Sequence, residues 1–281
     1  MAEQLAIDDD NQPSLRFPLV DSLVFFLRNQ VVFWIATLPI AGLAAAITYT
    51  LEADQKFIDY RNHWGWEFLF ALIYAMFLDR WIKEMLLDGA SPCEEVDEFR
   101  RATISVRFLT FAPALFVLSM VLGMFQLEGI AGTLEGWHLP HAIAVIAGTV
   151  LTWLPHLFLW ATIFAAFALM LPALSAGEPT GLRAAWRLGR PLRGAVFTLV
   201  FGAALLSLSA YATTLWGLEV LPKKPWAAAA MVGAGRLFDC LLLTFVAYAL
   251  AALWRQRTDW QQPEPDDHPY RGMARRVRGP A

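Results

Sequence analysis

Residues 167–191 read FALMLPALSAGEPTGLRAAWRLGRP, and this stretch contains the main structural signals of the chain. It closes an apolar run, turns at 177–179, and continues as a short segment in which arginines and apolar residues recur at helical spacing. Arg183, Arg187 and Arg190 fall on one face of that predicted helix. The opposite face consists of Leu182, Ala185, Trp186 and Gly189. This pattern predicts a helix lying flat at a membrane surface between two membrane-spanning helices.

The composition of the whole chain indicates an integral membrane protein. It has 281 residues, of which 57% are hydrophobic and 17% are charged, whereas soluble domains carry about 25% charged residues. The charges are confined to short segments, and the apolar runs between them are about 20 residues long, which matches the ~30 Å hydrocarbon core of a bilayer. A large soluble helical core would need charged outer faces, and these runs have none.

The predicted fold is all-α, with six transmembrane helices in a membrane domain of residues 15–254. Amphipathic interfacial helices are expected on the cytoplasmic side before the first, third and fifth spans. Polar residues 1–14 form a predicted disordered N-terminal tail, and the charged, proline-rich residues 255–281 a predicted disordered cytoplasmic tail. The spans are expected at about 31–51, 66–87, 106–127, 141–174, 194–218 and 226–254.

Residues 141–174 allow two topologies, because Pro155 interrupts this long apolar segment. It forms either one kinked helix or two short half-spans folded as a hairpin. With one helix, 17 basic residues lie on one side of the membrane and 4 on the other. A hairpin would make the two sides nearly equal. Since cytoplasmic loops are rich in Lys and Arg, the count favours one kinked helix, with both termini in the cytoplasm.

The three predicted cytoplasmic approaches resemble one another. Each places a proline about 15 residues before an arginine at the mouth of an odd-numbered span, in the segments 13–28, 92–107 and 179–193. The pattern suggests three units of an interfacial helix plus a transmembrane hairpin. The alternative is that any segment entering a membrane collects arginines and turn residues.

Two further patterns predict how the helices pack. Asp79 and Lys83, like Arg80 and Glu84, are four residues apart, which predicts two ion pairs on an amphipathic extension of the second span. Small residues predict close helix contacts at three places in the membrane domain. These places are Gly42 with Ala46, Gly202 with Ala203, Ser207 and Ala210, and Gly233 with Gly235.

The stretch quoted above resembles a group of proteobacterial six-helix inner-membrane proteins. The resemblance rests on Leu169–Ala173, Gly177 and Leu182–Arg190, and on the residues at 25–29 and 38–39 near the first span. The group is also distantly similar to the membrane domain of some glycerophosphodiesterases, although no catalytic domain occurs here. The resemblance implies a six-helix fold and a location in the bacterial inner membrane, and it implies no chemistry.

Arg236 and Asp239 are the strongly ionisable residues deep inside a predicted span, three apart on one helix face. Each costs about 2.5–3.5 kcal/mol at the bilayer centre, so they are expected to face protein or a water-filled cavity. His156 lies near the middle of the fourth span. One hypothesis joins Arg236, Asp239 and His156 in a polar site for a proton, an anion or a lipid headgroup. The alternative is a mutually neutralised pair that holds helices together.

Other chemistry receives little support from the residues. His138 and His141 have helical spacing but no third ligand, so no metal is expected. Cys93 and Cys240 lie far apart, which excludes a disulfide framework, and no cofactor-binding or catalytic motif occurs. The arginines adjoin membrane spans, so nucleic acid is not an expected partner. Lipid-headgroup contacts are expected for Arg183, Arg187, Arg190 and Arg193.

Three function hypotheses follow. The first is a non-enzymatic scaffold, assembly or envelope-homeostasis factor whose partners are membrane lipids, other membrane proteins or a second copy of the chain. The second is a small transporter or permease that uses the Arg236, Asp239 and His156 site. The third, a lipid-modifying enzyme, rests only on the similarity to glycerophosphodiesterases.

Overall fold

The computed structural model describes residues 16–53, 64–86, 140–176, 181–220 and 224–258, which form helices joined by turns. No strand occurs within these ranges, in agreement with the all-α prediction. A 3-10 turn, Arg190–Leu192, joins the sixth helix to the seventh. The helices are α1 (Arg16–Arg28), α2 (Gln30–Ala53), α3 (Trp64–Leu86), α4 (His141–Phe167), α5 (Met170–Ser175), α6 (Leu182–Gly189), α7 (Arg193–Val220) and α8 (Pro225–Thr258).

Four helical stretches are long and apolar enough to cross a membrane. They are Gln30–Leu51, His141–Phe167, Leu182–Leu218 and Pro225–Thr258. The shortest has 22 residues, and at 1.5 Å per residue it extends about 33 Å, enough for the ~30 Å hydrocarbon core. Several such helices in one chain identify a membrane protein.

Two of the six predicted spans are absent from that set for different reasons. The second predicted span corresponds to α3, whose C-terminal half contains Asp79, Arg80, Lys83 and Glu84 and is therefore less apolar. The third predicted span, 106–127, lies outside the described residues, as do the helix predicted before it and most of both tails.

Helix α8 is the centre of the described bundle, because α1, α2, α3, α5 and α7 all pack against it. Small residues on α8 allow these close contacts. A Cβ atom built on Gly233 would lie 3.3 Å from the Ala41 carbonyl oxygen and 3.4 Å from the Ala45 Cβ atom on α2. The predicted close contact at Gly233 is thus confirmed.

At Gly42 and Gly202 themselves no close contact is found in the part of the chain that the structure describes, although Ser207 and Ala203 on the same predicted face of α7 do pack against neighbouring helices. Within the described ranges, no atom of a neighbouring helix lies within 4 Å of a Cβ atom placed on either glycine, and Ala46 is exposed. Small residues permit close approach on any face of a helix, and the neighbouring helix determines which face is used.

Helix α4 runs without interruption through Pro155, from His141 to Phe167. A hairpin of two half-spans would break at Pro155, so the single-helix alternative describes this segment. The helix nevertheless ends before the predicted boundary at Leu174. Pro172 has no N–H to donate to the Ala168 carbonyl and its ring would clash with that group in a continuous helix. The chain bends at Ala168, whose carbonyl instead accepts a 3.1 Å bond from the amide of Leu171.

Helix α1 packs against the bundle on one side and exposes the other. Its buried side contains Ser22 and Phe25, and the Phe25 ring lies 5.6 Å from Trp81 on α3 and 5.3 Å from Tyr248 on α8. Its exposed side carries apolar residues, namely Val20, Leu23, Val24 and Leu27.

Candidate functional site

Arg236 and Asp239 lie on α8 with the spacing that the sequence predicts. The closest guanidinium nitrogen and carboxylate oxygen are 4.0 Å apart, and the two side chains are 21% and 25% exposed. The pair therefore makes a loose ion pair that is only partly enclosed by the bundle.

Helix α7 supplies a closer partner for the carboxylate. The Ser207 hydroxyl donates a hydrogen bond of 2.5 Å to Asp239 Oδ1. A hydrogen bond from a hydroxyl to a charged carboxylate is stronger than one between neutral groups. The contact therefore links α7 to α8 at the level of the ion pair.

Helix α3 supplies the partners of the guanidinium. The Arg236 Cζ atom lies 4.7 Å from the centre of the Phe70 ring and 6.0 Å from that of Tyr74. An arginine within about 6 Å of an aromatic face is attracted by the electron-rich ring, an interaction that strengthens as water is removed. Helices α3, α7 and α8 thus meet at the Arg236 cluster, formed by Phe70, Tyr74, Ser207, Arg236 and Asp239.

His156, the third residue of the predicted site, lies on a helix that packs elsewhere. It belongs to α4, which packs against α7 and α6, whereas the main neighbours of α8 do not include α4. The His156 ring contacts Trp153 of its own helix, with ring centres 5.4 Å apart. The structure therefore brings two of the three predicted residues together, and participation of His156 stays a prediction.

A second polar cluster, which we call the Asp79 cluster, consists of Asp79, Lys83 and Ser175. The Lys83 amine donates to Asp79 Oδ2 at 2.6 Å, and the Ser175 hydroxyl donates to Asp79 Oδ1 at 2.7 Å. All three residues are buried, with Asp79 1% exposed and Lys83 4% exposed. The predicted i,i+4 pair of Asp79 and Lys83 is therefore confirmed, and its burial is a feature that the sequence does not indicate, while Arg80 on the same helix is exposed.

Helix α5 explains why this pair is buried. Helix α5 follows the turn at Ala168 and packs against α3. Leu171, Ala173 and Leu174 of α5 are buried, and Ser175 ends the helix beside Asp79. Serine and aspartate are 96 residues apart, and helical periodicity within α3 contains no signal for such a contact.

Helix α6 and the first residue of the 3-10 turn after it, Arg190, place three arginines as the spacing predicts, and we call these the α6 arginines. Arg183, Arg187 and Arg190 are exposed, whereas Ala185 and Gly189 on the other side are buried. A Cβ atom on Gly189 would lie 3.3 Å from the Ala166 carbonyl oxygen near the end of α4. The helix is therefore held directly against the backbone of α4.

Arg193 differs from the other three arginines. Its guanidinium carbon lies 3.5 Å from the centre of the Trp186 ring, and its Nε and Nη2 atoms are buried without a hydrogen-bond partner in the described part of the chain. Arg193 is thus held mainly by a cation–π contact that fixes Trp186, rather than by an ionic contact.

No group of three His, Cys, Asp or Glu residues in the described ranges is arranged to hold a metal ion. Cys240 is buried next to Asp239 on α8. His138 and Cys93, which the sequence also singles out, lie outside the described residues. No family model matches the chain, and neither a curated protein nor a solved structure matches it.

Proposed function

We propose that the chain is a six-span protein of the bacterial inner membrane with both termini in the cytoplasm, as its resemblance to six-helix inner-membrane proteins implies. The apolar helices and the uneven distribution of basic residues support this topology. Burial of Lys83 removes one residue from the cytoplasmic count and leaves the imbalance large. The exposed apolar side of α1 supports an interfacial position for that helix, since Val20 is 58% and Leu27 is 56% exposed.

Reporter fusions test the topology. At the C-terminus, a reporter that works only in the cytoplasm is expected to be active. At Lys56, a reporter that works only in the periplasm is expected to be active. The reverse result at either site would overturn the six-span arrangement.

Within that membrane we propose a non-enzymatic role as a scaffold, assembly or envelope-homeostasis factor. The observation that carries this proposal is that two buried or partly buried carboxylates bond to neighbouring helices of the same chain. Asp79 on α3 accepts from Ser175 on α5, and Asp239 on α8 accepts from Ser207 on α7. Polar side chains used in this way hold helices together in a medium that offers no hydrophobic driving force for their association.

Complementation separates this role from transport. In a deletion strain, Arg236→Gln and Asp239→Asn are expected to restore the wild-type phenotype when the amount of protein in the membrane is matched to wild type. Ser209→Ala is the control, because the Ser209 hydroxyl bonds to the Leu205 carbonyl of its own helix. Failure of either variant to restore the wild-type phenotype at matched protein level would contradict the scaffold proposal.

A small transporter is the second candidate, because the two polar clusters differ in how tightly they are closed. The Asp79–Lys83 distance is 2.6 Å and both side chains are almost inaccessible, whereas the Arg236–Asp239 distance is 4.0 Å and both side chains are partly accessible. Intramembrane charges that face a water-filled cavity are typical of transport pathways.

Water access at the Arg236 cluster distinguishes the two candidates. Gly235→Cys, in a chain without the native cysteines, adds a thiol beside Arg236 at a position where the nearest atom to a Cβ is Thr214 Oγ1 at 3.8 Å. Gly202→Cys is the matched control on a face with open space. Reaction of Gly235→Cys alone with a charged, membrane-impermeant thiol reagent would favour the transporter, and protection of both positions favours the scaffold.

A further inference from the structure

The surface of α6 has three sides with different chemistry. Arg183, Arg187 and Arg190 point away from the bundle, and Ala185 and Gly189 face α4. The absence of a side chain at Gly189 allows its backbone to approach the Ala166 carbonyl closely, and Ala185 on the same side is buried. This side of the helix therefore packs on α4 and leaves the arginine row on the exposed side.

In the part of the chain that the structure describes, no ion pair is found at these three arginines. Residues 181–193 contain four arginines and no aspartate or glutamate. The short-range ion pairs found in the described ranges belong to α3 and α8 instead. Three exposed guanidinium groups on one helix face are thus available to an anionic ligand, and guanidinium groups match the geometry of phosphate oxygens.

The third side of α6 indicates where that ligand lies. Leu182 and Trp186 are 56% and 42% exposed next to the arginine row. Trp186 is fixed between the Phe167 ring, 5.6 Å away, and the Arg193 guanidinium, 3.5 Å away. Exposed tryptophan is typical of the boundary between hydrocarbon and headgroups. Helix α6 is also continuous with the apolar helix α7 in one candidate membrane span, Leu182–Leu218.

We propose that α6 is a selective binding site for the phosphate headgroups of anionic phospholipids. Arg183, Arg187 and Arg190 contact the headgroups, and Arg193 positions Trp186 at the level of the acyl chains rather than contacting lipid phosphate. This site is independent of whether the protein is a scaffold or a transporter. It also revises the set of four headgroup-contacting arginines expected from the sequence to three.

Lipid titration of the purified full chain in detergent tests the proposal. Native mass spectrometry measures the binding of phosphatidylglycerol and of zwitterionic phosphatidylcholine with matched acyl chains. The wild-type chain is expected to prefer phosphatidylglycerol. Replacing Arg183, Arg187 and Arg190 by Gln is expected to weaken that preference by at least about tenfold, since each arginine near an anionic surface contributes a factor of roughly five.

Two variants serve as controls. Replacing the exposed residues Arg28, Arg255 and Arg257 by Gln removes the same charge elsewhere and is expected to leave most of the preference intact. Replacing the three α6 arginines by Lys keeps the charge and is expected to retain more binding than the Gln variant, which guards against a folding defect. Equal losses in the Arg28 and α6 variants would show diffuse attraction and overturn the proposal.

Competition distinguishes a lipid headgroup from free phosphate. Inorganic phosphate is expected to displace phosphatidylglycerol no better than chloride at the same ionic strength, because it lacks the acyl chains that lie beside Leu182 and Trp186. Displacement by phosphate alone would identify a soluble-anion site and overturn the assignment to lipid, as would equal binding of the two lipids by the wild-type chain.

Discussion

The Ser175 hydroxyl lies 2.7 Å from Asp79 Oδ1, although the two residues are 96 positions apart in the chain. This bond joins the end of α5 to a carboxylate that also accepts a 2.6 Å bond from Lys83. It converts what would be a local ion pair on α3 into a tertiary contact. The stability of the bundle should therefore depend on all three residues together.

Breaking the Asp79 cluster one residue at a time is expected to be more harmful than removing its charges together. Lys83→Met removes the ammonium that lies 2.6 Å from the buried Asp79 carboxylate and should destabilise the bundle by about 3–5 kcal/mol. Adding Asp79→Leu to that variant should recover much of the loss, since both members of the pair are then apolar. Thermal unfolding in detergent, monitored by size-exclusion chromatography, measures the stability of both variants. Arg80→Gln on the exposed side of α3 is the control and should change stability by less than about 0.5 kcal/mol.

Loss of the Ser175 hydroxyl tests the tertiary bond itself. Ser175→Ala should cost about 1–3 kcal/mol because one oxygen of a buried carboxylate loses its donor. In the Asp79→Leu, Lys83→Met background the same change should cost almost nothing. An equal cost in both backgrounds would show that Ser175 acts through packing rather than through Asp79.

Two serines on α7 form a matched pair for the Arg236 cluster. The Ser207 hydroxyl bonds to Asp239 on α8, whereas the Ser209 hydroxyl bonds to Leu205 within its own helix. Ser207→Ala should therefore destabilise the bundle by about 1–2 kcal/mol, and Ser209→Ala by less than about 0.5 kcal/mol. Unfolding midpoints of the two variants in the same detergent give the comparison, and equal midpoints would contradict the bond to Asp239.

The contact between Arg236 and Phe70 is suited to a double-mutant cycle. Phe70→Leu and Arg236→Gln, made singly and together, should show a coupling energy of about 0.5–2 kcal/mol, the range for a cation–π pair that is partly shielded from water. A coupling of zero would mean that Phe70 contributes packing alone.

The glycines of α7 and α8 should respond oppositely to the same substitution. Gly202→Ala adds a methyl group in open space and removes a flexible residue from a helix, which should stabilise the bundle by about 0.5–1 kcal/mol. Gly233→Ala places a Cβ 3.3 Å from the Ala41 carbonyl oxygen and should be destabilising, more so for Gly233→Val. Stabilisation by both alanine variants would contradict the close contact of α2 and α8.

The sequence predicts features that depend on one helix and misses those that depend on two. Apolar runs predict α2, α4, α7 and α8, and residue spacing predicts the exposed arginines of α6, because both are properties of a single segment. The burial of Asp79 depends on α5, and the use of Gly233 but not Gly202 depends on which helix lies alongside. The end of α4 is an intermediate case, since Pro172 carries a local signal for the bend at Ala168.

The contact between Ser175 and Asp79 also has a consequence for the order of events during synthesis. When α3 emerges from the ribosome, Asp79 and Lys83 can already form their i,i+4 pair, and Ser175 follows 96 residues later. At about 5–20 residues per second, that delay is roughly 5–20 s. During this interval α5 has not yet been synthesised. The packing of α5 on α3 is therefore completed after translation of α5 rather than when α3 itself inserts.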